Sequence, residues 1–129
     1  MLPAELRMRR SADFEATVRR GARAGRGTLV VHCRAVSDAD AATRVGLVVS
    51  RAVGGAVVRN QVRRRLRGVV VEQRATLPAG ADVVVRALPP SSGAAYGTLT
   101  DDFRSALRAA VRRAGMESVQ PGGDRGDAR

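Results

Sequence analysis

A helical repeat of apolar residues in the stretch GGAVVRNQVRRRLRG (54–68) constrains the fold of this chain more than any other feature. On a helix that turns by about 100° per residue, one stripe of apolar side chains forms. The stripe consists of Val58, Val62, Leu66 and Val69. A ridge beside it consists of Arg59, Arg63 and Arg67, and a second ridge of Asn60 and Arg64. The segment therefore predicts a helix with one buried face and one basic face.

The basic face has no internal compensation, because no acidic residue stands between Ala56 and Val71. Like charges at this spacing repel, so the pattern indicates a neighbouring polyanion or a well-solvated helix face. The net charge of +11 favours nucleic acid or an anionic membrane surface as the partner. All 23 basic residues are arginine, which can donate two hydrogen bonds to one phosphate. A GC-rich genome also explains the missing lysines, but it does not explain the net charge.

Length and composition restrict the class of protein. At 129 residues the chain fits one domain, and with aromatics at only 2% the core must be built from Val, Leu and Ala. No run approaches the roughly 20 apolar residues that span a bilayer, and the basic N-terminus lacks the apolar run of a secretory signal. The single cysteine, Cys33, excludes a disulfide scaffold. We expect a cytoplasmic protein without a membrane partner.

The first half of the chain predicts one helix and two strands. Ser11 is the expected cap of the helix, which Gly21 ends, and 21–27 is expected to be a flexible basic loop. Strands are predicted over 28–36 and 44–50, joined by a turn at 37–43. We expect these two strands to pair as an antiparallel hairpin. In the first of them, alternation places Leu29, Val31, Cys33 and Ala35 on one face and Val30, His32 and Arg34 on the other.

The second half predicts the arginine helix after Gly54 and Gly55, a short strand over 82–88 and a last helix capped by Thr100. In that last helix one face repeats every fourth residue and is expected to be core: Leu99, Phe103, Leu107 and Val111. From Gly115 onward we expect a disordered tail. The order of elements indicates an α+β fold with a small sheet packed against helices on one side.

Residues that could carry catalysis are few. His32 is the only histidine, and it stands in mid-strand without a carboxylate or serine partner. Cys33 is expected to be a buried core thiol. Turn formation and helix capping explain the paired acidic residues more simply than metal binding does, and these are Asp38, Asp40, Asp101 and Asp102. We therefore predict no catalytic residue and no metal site in the protein.

The run RVGLVVSRAVGGAVVRNQVRRRLR (44–67) resembles the signature region of the bacterial ribonuclease P protein component. The positions that match are Gly54, Ala56, Val57, Arg59, Asn60, Arg63, Arg64 and Arg67. Further similarity lies in ADF (12–14), in the glycine at 21, in the strand at 28–36 and in GADVVVRA (80–87). The resemblance thus covers nearly all of the chain before the expected tail.

The resemblance implies a fold more specific than the pattern of elements does. It implies a single small αβ sandwich over residues 1–114, followed by a tail over 115–129. Its sheet would have about four strands and a left-handed βαβ crossover that contains the arginine helix, as in the ribosomal S5 domain 2-like fold. Ordinary crossovers are right-handed, so general rules would give the opposite hand.

The resemblance also implies a function. In the family a catalytic RNA uses Mg²⁺ ions, bound mainly by that RNA, to remove the 5′ leader of precursor tRNA, and no further protein partner is required. The surface for the catalytic RNA would comprise Arg51, Arg59, Asn60, Arg63, Arg64 and Arg67. The cleft for the single-stranded leader would comprise Phe14, Val18, Val30, His32 and Arg34. Bases would stack on Phe14 and His32.

Some positions depart from the family pattern. Gln61 and Ala52 stand where arginine and lysine are usual, and Val18 and His32 stand where many relatives carry aromatic residues. Leader binding here would therefore depend more on Arg34 and on backbone groups.

Two other classes of protein fit the composition as well. One is a small basic ribosomal protein, and the other is a general nucleic-acid chaperone or DNA-binding protein.

Overall fold

The computed structural model describes residues 2–36 and 42–116. It contains three α-helices: α1 (Ser11–Arg20), α2 (Ala56–Glu72) and α3 (Tyr96–Arg113). Its four strands are β1 (Ala22–Gly25), β2 (Leu29–Ala35), β3 (Arg44–Val48) and β4 (Ala81–Ala87). Short 3₁₀ turns lie at Ala4–Leu6, Arg74–Thr76 and Pro89–Ser91. The turn expected at 37–43 falls largely outside the described residues, as does the tail from residue 117.

The four strands form one mixed sheet in the order β1-β2-β4-β3. β1 pairs with β2 and β2 with β4 in antiparallel fashion, whereas β3 and β4 are parallel. Helix α2 connects these two parallel neighbours, so the β3-α2-β4 crossover that the resemblance implies is present. Its left-handed sense stays a prediction.

The predicted hairpin between 28–36 and 44–50 is wrong. β4 lies between these strands and pairs with both, through Cys33 on one side and Val45 on the other. Every residue of β4 except Arg86 is buried, and a strand buried on both faces belongs in the middle of a sheet. The hairpin was predicted because the two strands are neighbours in sequence, and the prediction therefore missed β4 as the partner of both.

Three local predictions are also corrected. Residues 22–25 form a strand rather than a loop, because they pair with β2 and return through a tight turn closed by Arg26 N–H donating to Leu29 O at 2.8 Å. Ser11 is the first residue of α1 and Arg10 is its cap. Thr100 lies inside α3, where its hydroxyl donates to Tyr96 O at 3.1 Å, and the helix begins a turn earlier than predicted.

The main core lies between the sheet and helices α2 and α3. The predicted apolar stripes of both helices point into it, with Leu66 and Phe103 fully buried. Leu29, Val31 and Cys33 meet them from β2, as the alternation predicts. Burial, and secondarily the Asp82 carboxylate, raise the pKa of the Cys33 thiol to about 11. The prediction of a buried core thiol is confirmed.

Helix α1 packs on the opposite face of the sheet, against β2 and β4, so the helices do not all lie on one side. Only Thr17 is fully buried in α1. The helix is held at its start by Asp13, whose carboxylate lies 3.2 Å from Arg44 Nη1 on β3. This placement leaves a groove between α1 and the edge strand β3.

Candidate nucleic-acid interface

The basic face of α2 is built by the register of its apolar stripe. Because Val62, Leu66 and Val69 are buried, the arginines beside them are carried to the surface of the helix. Arg59, Arg63 and Arg67 lie half-buried along the flank, and Asn60 and Arg64 are exposed. The structure therefore brings these five predicted residues together on one surface, called here the arginine ridge.

Two arginines of the ridge are oriented by hydrogen bonds within the helix start. Arg59 Nε donates to Gly54 O at 3.2 Å, and Arg63 Nη1 donates to Asn60 Oδ1 at 3.0 Å. A Cβ at Gly54 would lie 2.8 Å from Val58 Cγ1, so glycine permits this tight entry into α2. Arg51 is exposed in the preceding turn, where Gly54 N–H donates to Arg51 O at 3.1 Å.

The charges of the ridge lack carboxylate partners. Within residues 2–36 and 42–116, no salt bridge reaches Arg51 or any arginine of α2. The oriented guanidinium groups thus leave donors directed to solvent, and a phosphate backbone would satisfy both the charge and the hydrogen bonds.

The second surface is the groove between α1 and β3, with a volume of about 480 Å³. It is lined by Ser11, Phe14, Glu15, Val18, Arg19 and Val48. Phe14 and Val18 are therefore brought together as predicted, and Val18 is 38% exposed. A Cβ at Gly46 would overlap the Phe14 ring, so glycine lets the ring lie directly on the backbone of β3.

Two residues predicted for this cleft are not accessible. Val30 is buried, and His32 is only 1% exposed although it lies on the face of the sheet that carries α1. Alternation predicted the face correctly, but it carries no information about what covers that face. In this conformation the imidazole offers no free surface to a base, which contradicts the expected stacking role. Neither ring nitrogen has a hydrogen-bonding partner in the described part of the chain.

The buried imidazole makes stability depend on pH. Desolvation, followed by the charges of Arg86 and Arg23, lowers the pKa of His32 below its ordinary value of about 6.5. Below a pH of about 6.5 the unfolded chain binds a proton at His32 that the folded chain binds only at a lower pH. The free energy of unfolding therefore falls as the pH drops. We expect urea midpoints to fall more steeply in the wild type than in His32→Leu between about pH 7.5 and 5. Parallel curves would contradict the prediction.

Arg34 is held by a buried acid rather than directed freely into the groove. Its Nη2 lies 3.1 Å from Asp82 Oδ2, and Asp82 has no exposed surface. Arg44 donates to both oxygens of Asp82 at 3.2 Å, and these three residues lie side by side across β2, β4 and β3. Sequence reasoning missed Asp82, Arg44, Gly46 and Val48, because their positions follow from strand pairings that lie far apart in sequence.

The described residues hold no group of three or more histidine, cysteine, aspartate or glutamate side chains placed to bind a metal ion. Among the helices described, none combines the length and the apolar character needed to cross a bilayer.

Comparison with known proteins gives a consistent result. The family model described as Ribonuclease P matches residues 2–111. The ribonuclease P protein component of Kocuria rhizophila is 53% identical over 113 residues, which cover 88% of this chain and 98% of that protein. The corresponding protein of Streptomyces bikiniensis is 52% identical over 115 residues, covering 84% and 94%.

Solved structures agree with the fold. The RNase P protein of Thermotoga maritima superposes with a TM-score of 0.70 at 25% identity, covering 80% of this chain and 96% of that one. The RNase P protein of Staphylococcus aureus gives a TM-score of 0.71 at 24% identity, covering 81% and 94%.

Proposed function

Because this chain belongs to the bacterial ribonuclease P protein family, we propose that its arginine ridge binds the catalytic RNA while the groove beside α1 holds the 5′ leader of precursor tRNA. The chain is the protein subunit of a ribonucleoprotein endonuclease of tRNA processing. Family membership decides against the small ribosomal protein and the general nucleic-acid chaperone.

The observation that carries the proposal is the position of Phe14. Its ring lines the groove beside α1 and also a smaller pocket that Arg63 and Arg67 line. Both surfaces therefore meet at the edge strand β3, and an RNA strand leaving the ridge passes directly into the groove. A single strand suits the groove, since a flat ring and flanking cations are the features that bind unpaired nucleotides.

In this arrangement the protein positions RNA and performs no chemistry itself. The ridge neutralises phosphates of the catalytic RNA, and Phe14 and Val18 offer apolar surface to bases of the leader. Mg²⁺, which supplies charge neutralisation at the scissile phosphate, would be held mainly by the RNA. The site of action would be the bacterial cytoplasm.

Reconstitution tests the proposed function. Adding the purified protein to a bacterial RNase P RNA at low Mg²⁺ is expected to restore cleavage of precursor tRNA at the mature 5′ end. Protein alone should give no product. Failure to stimulate several bacterial RNAs, under conditions where a characterised subunit does so, would refute the assignment.

Phe14→Ala tests the leader groove. We expect affinity for precursor tRNA to fall about 5- to 100-fold, as loss of one base–aromatic stack does, while affinity for mature tRNA changes less than about twofold. Binding of the reconstituted holoenzyme to both ligands measures this ratio. Phe14→Leu keeps most of the packing on Gly46 but not the flat face, and it should behave like the alanine variant. Equal losses for both ligands would make Phe14 a packing residue only.

A further inference from the structure

A small pocket lies at the outer edge of β3, between the arginine ridge and α1. Its volume is about 190 Å³, which is below the roughly 300 Å³ of pockets for drug-sized ligands and suits a smaller planar group. Leu2, Met8 and Leu47 contribute apolar surface to it, and the Phe14 ring closes one side. The pocket thus combines aliphatic walls with one aromatic wall.

The backbone of β3 gives this pocket hydrogen-bonding groups. Val45 O accepts from Met8 N–H at 3.0 Å on the outer edge of the strand. Since alternate residues of a strand direct their backbone groups to the same side, Leu47 N–H and C=O point outward as well. In the described ranges, no hydrogen bond from another segment reaches Leu47 on that side, since the N-terminal segment pairs with β3 at Val45 alone. A donor and an acceptor therefore stand side by side at the pocket.

Three cations surround the opening: Arg7, Arg63 and Arg67. None of them forms a salt bridge within residues 2–36 and 42–116. An apolar slot with an aromatic wall, an adjacent donor and acceptor, and cations at the rim matches the parts of one nucleotide: a flat base with polar edge groups, and phosphates on either side.

We propose that this pocket binds one unstacked RNA base, with Leu47 backbone groups at its edge and the flanking phosphates on Arg63 and Arg67. The inference rests on the proposed function, since it requires RNA on the ridge, but it adds a single-nucleotide site that neither surface by itself implies. The base comes from the leader or from a loop of the catalytic RNA, and the experiment separates these sources.

The test uses a substitution that fills the pocket, and it identifies the nucleotide that then no longer contributes to RNA binding. Leu47→Trp places a ring in the slot, and Val71→Trp, on an exposed position of α2, is the matched control. In the first arm, holoenzyme affinity is measured for precursor tRNAs with an abasic substitution at each leader position in turn. In the second arm, 2′-hydroxyl reactivity of the catalytic RNA is mapped with each variant.

For a leader base, we expect one position at which its removal lowers the affinity of the wild-type and Val71→Trp holoenzymes by about 5- to 100-fold. At that position the affinity of the Leu47→Trp holoenzyme should fall by less than about twofold. A response in the leader identifies the leader as the source; one newly reactive nucleotide in the catalytic RNA, with no leader response, identifies that RNA. If Leu47→Trp does not fold, Arg7→Gln takes its place. The same nucleotide should then respond, with a smaller difference in affinity loss from the wild type.

No coupled nucleotide in either arm would overturn the proposal. Failure of the proposed function is distinguishable, because it would also remove the effect of Phe14→Ala and the stimulation of cleavage at low Mg²⁺.

Discussion

Replacing Arg59 and Arg63 together with alanine is expected to weaken binding to the catalytic RNA on the order of a hundredfold, about tenfold for each charge-assisted hydrogen bond. The salt dependence should flatten as well. For each phosphate contact that is lost, the slope of log affinity against log salt concentration should become shallower by about 0.7–0.9, because fewer counterions are released on binding. Filter binding or fluorescence titration between about 50 and 200 mM salt measures both quantities.

The control for this double variant removes the same charge elsewhere. Arg104 and Arg108 are exposed on α3, and replacing both with alanine lowers the net charge equally. If the ridge binds the phosphates directly, the control keeps the slope of the wild type. An equal flattening in both variants would mean that α2 acts only through the overall field of the protein.

Phe103→Ala is expected to lower the free energy of unfolding by about 3–5 kcal/mol, which is a large part of the roughly 5–15 kcal/mol available to a domain. Phe103 has no exposed surface, and the chain contains only two phenylalanines, one tyrosine and no tryptophan. The surrounding Val and Leu side chains are too short to fill the cavity that would remain. Urea unfolding followed by far-ultraviolet circular dichroism measures the decrease.

Val57→Ala serves as the control for the core variant, because Val57 is 72% exposed in the first turn of α2. Its effect should stay within about 0.5 kcal/mol. A decrease below about 1 kcal/mol for Phe103→Ala would show that the sheet and α3 close over the cavity, and that the core does not depend on its single large ring.

Sequence periodicity predicted the parts of the fold that are local. The apolar stripes of α2 and α3 and the alternation in β2 are confirmed, since burial of one face requires a fixed spacing within a single element. Helix starts were harder to predict: α3 begins at Tyr96 without a side-chain cap, so the hydroxyl of Thr100 was a misleading signal.

Strand order was not predictable from spacing alone. β4 separates two strands that are neighbours in sequence, and nothing in 28–50 indicates a partner that comes after the whole of α2. The same limit applied to the candidate site. Placing Phe14 on Gly46, covering His32 and joining Arg34 to Asp82 all depend on those distant pairings. The resemblance supplied the crossover, but not the burial of the individual side chains.

The central position of β4 has a consequence for synthesis of the chain on the ribosome. Until Ala81–Ala87 have emerged, β2 and β3 share no neighbour, and the four-stranded sheet cannot form. Contacts between strands so distant in sequence also form slowly during folding. The segment before β4, which includes the whole arginine ridge, therefore stays unassembled and strongly cationic until β4 has emerged. Non-specific binding to RNA depends on charge and not on a folded surface, so the chain is most exposed to it before β4 completes the sheet.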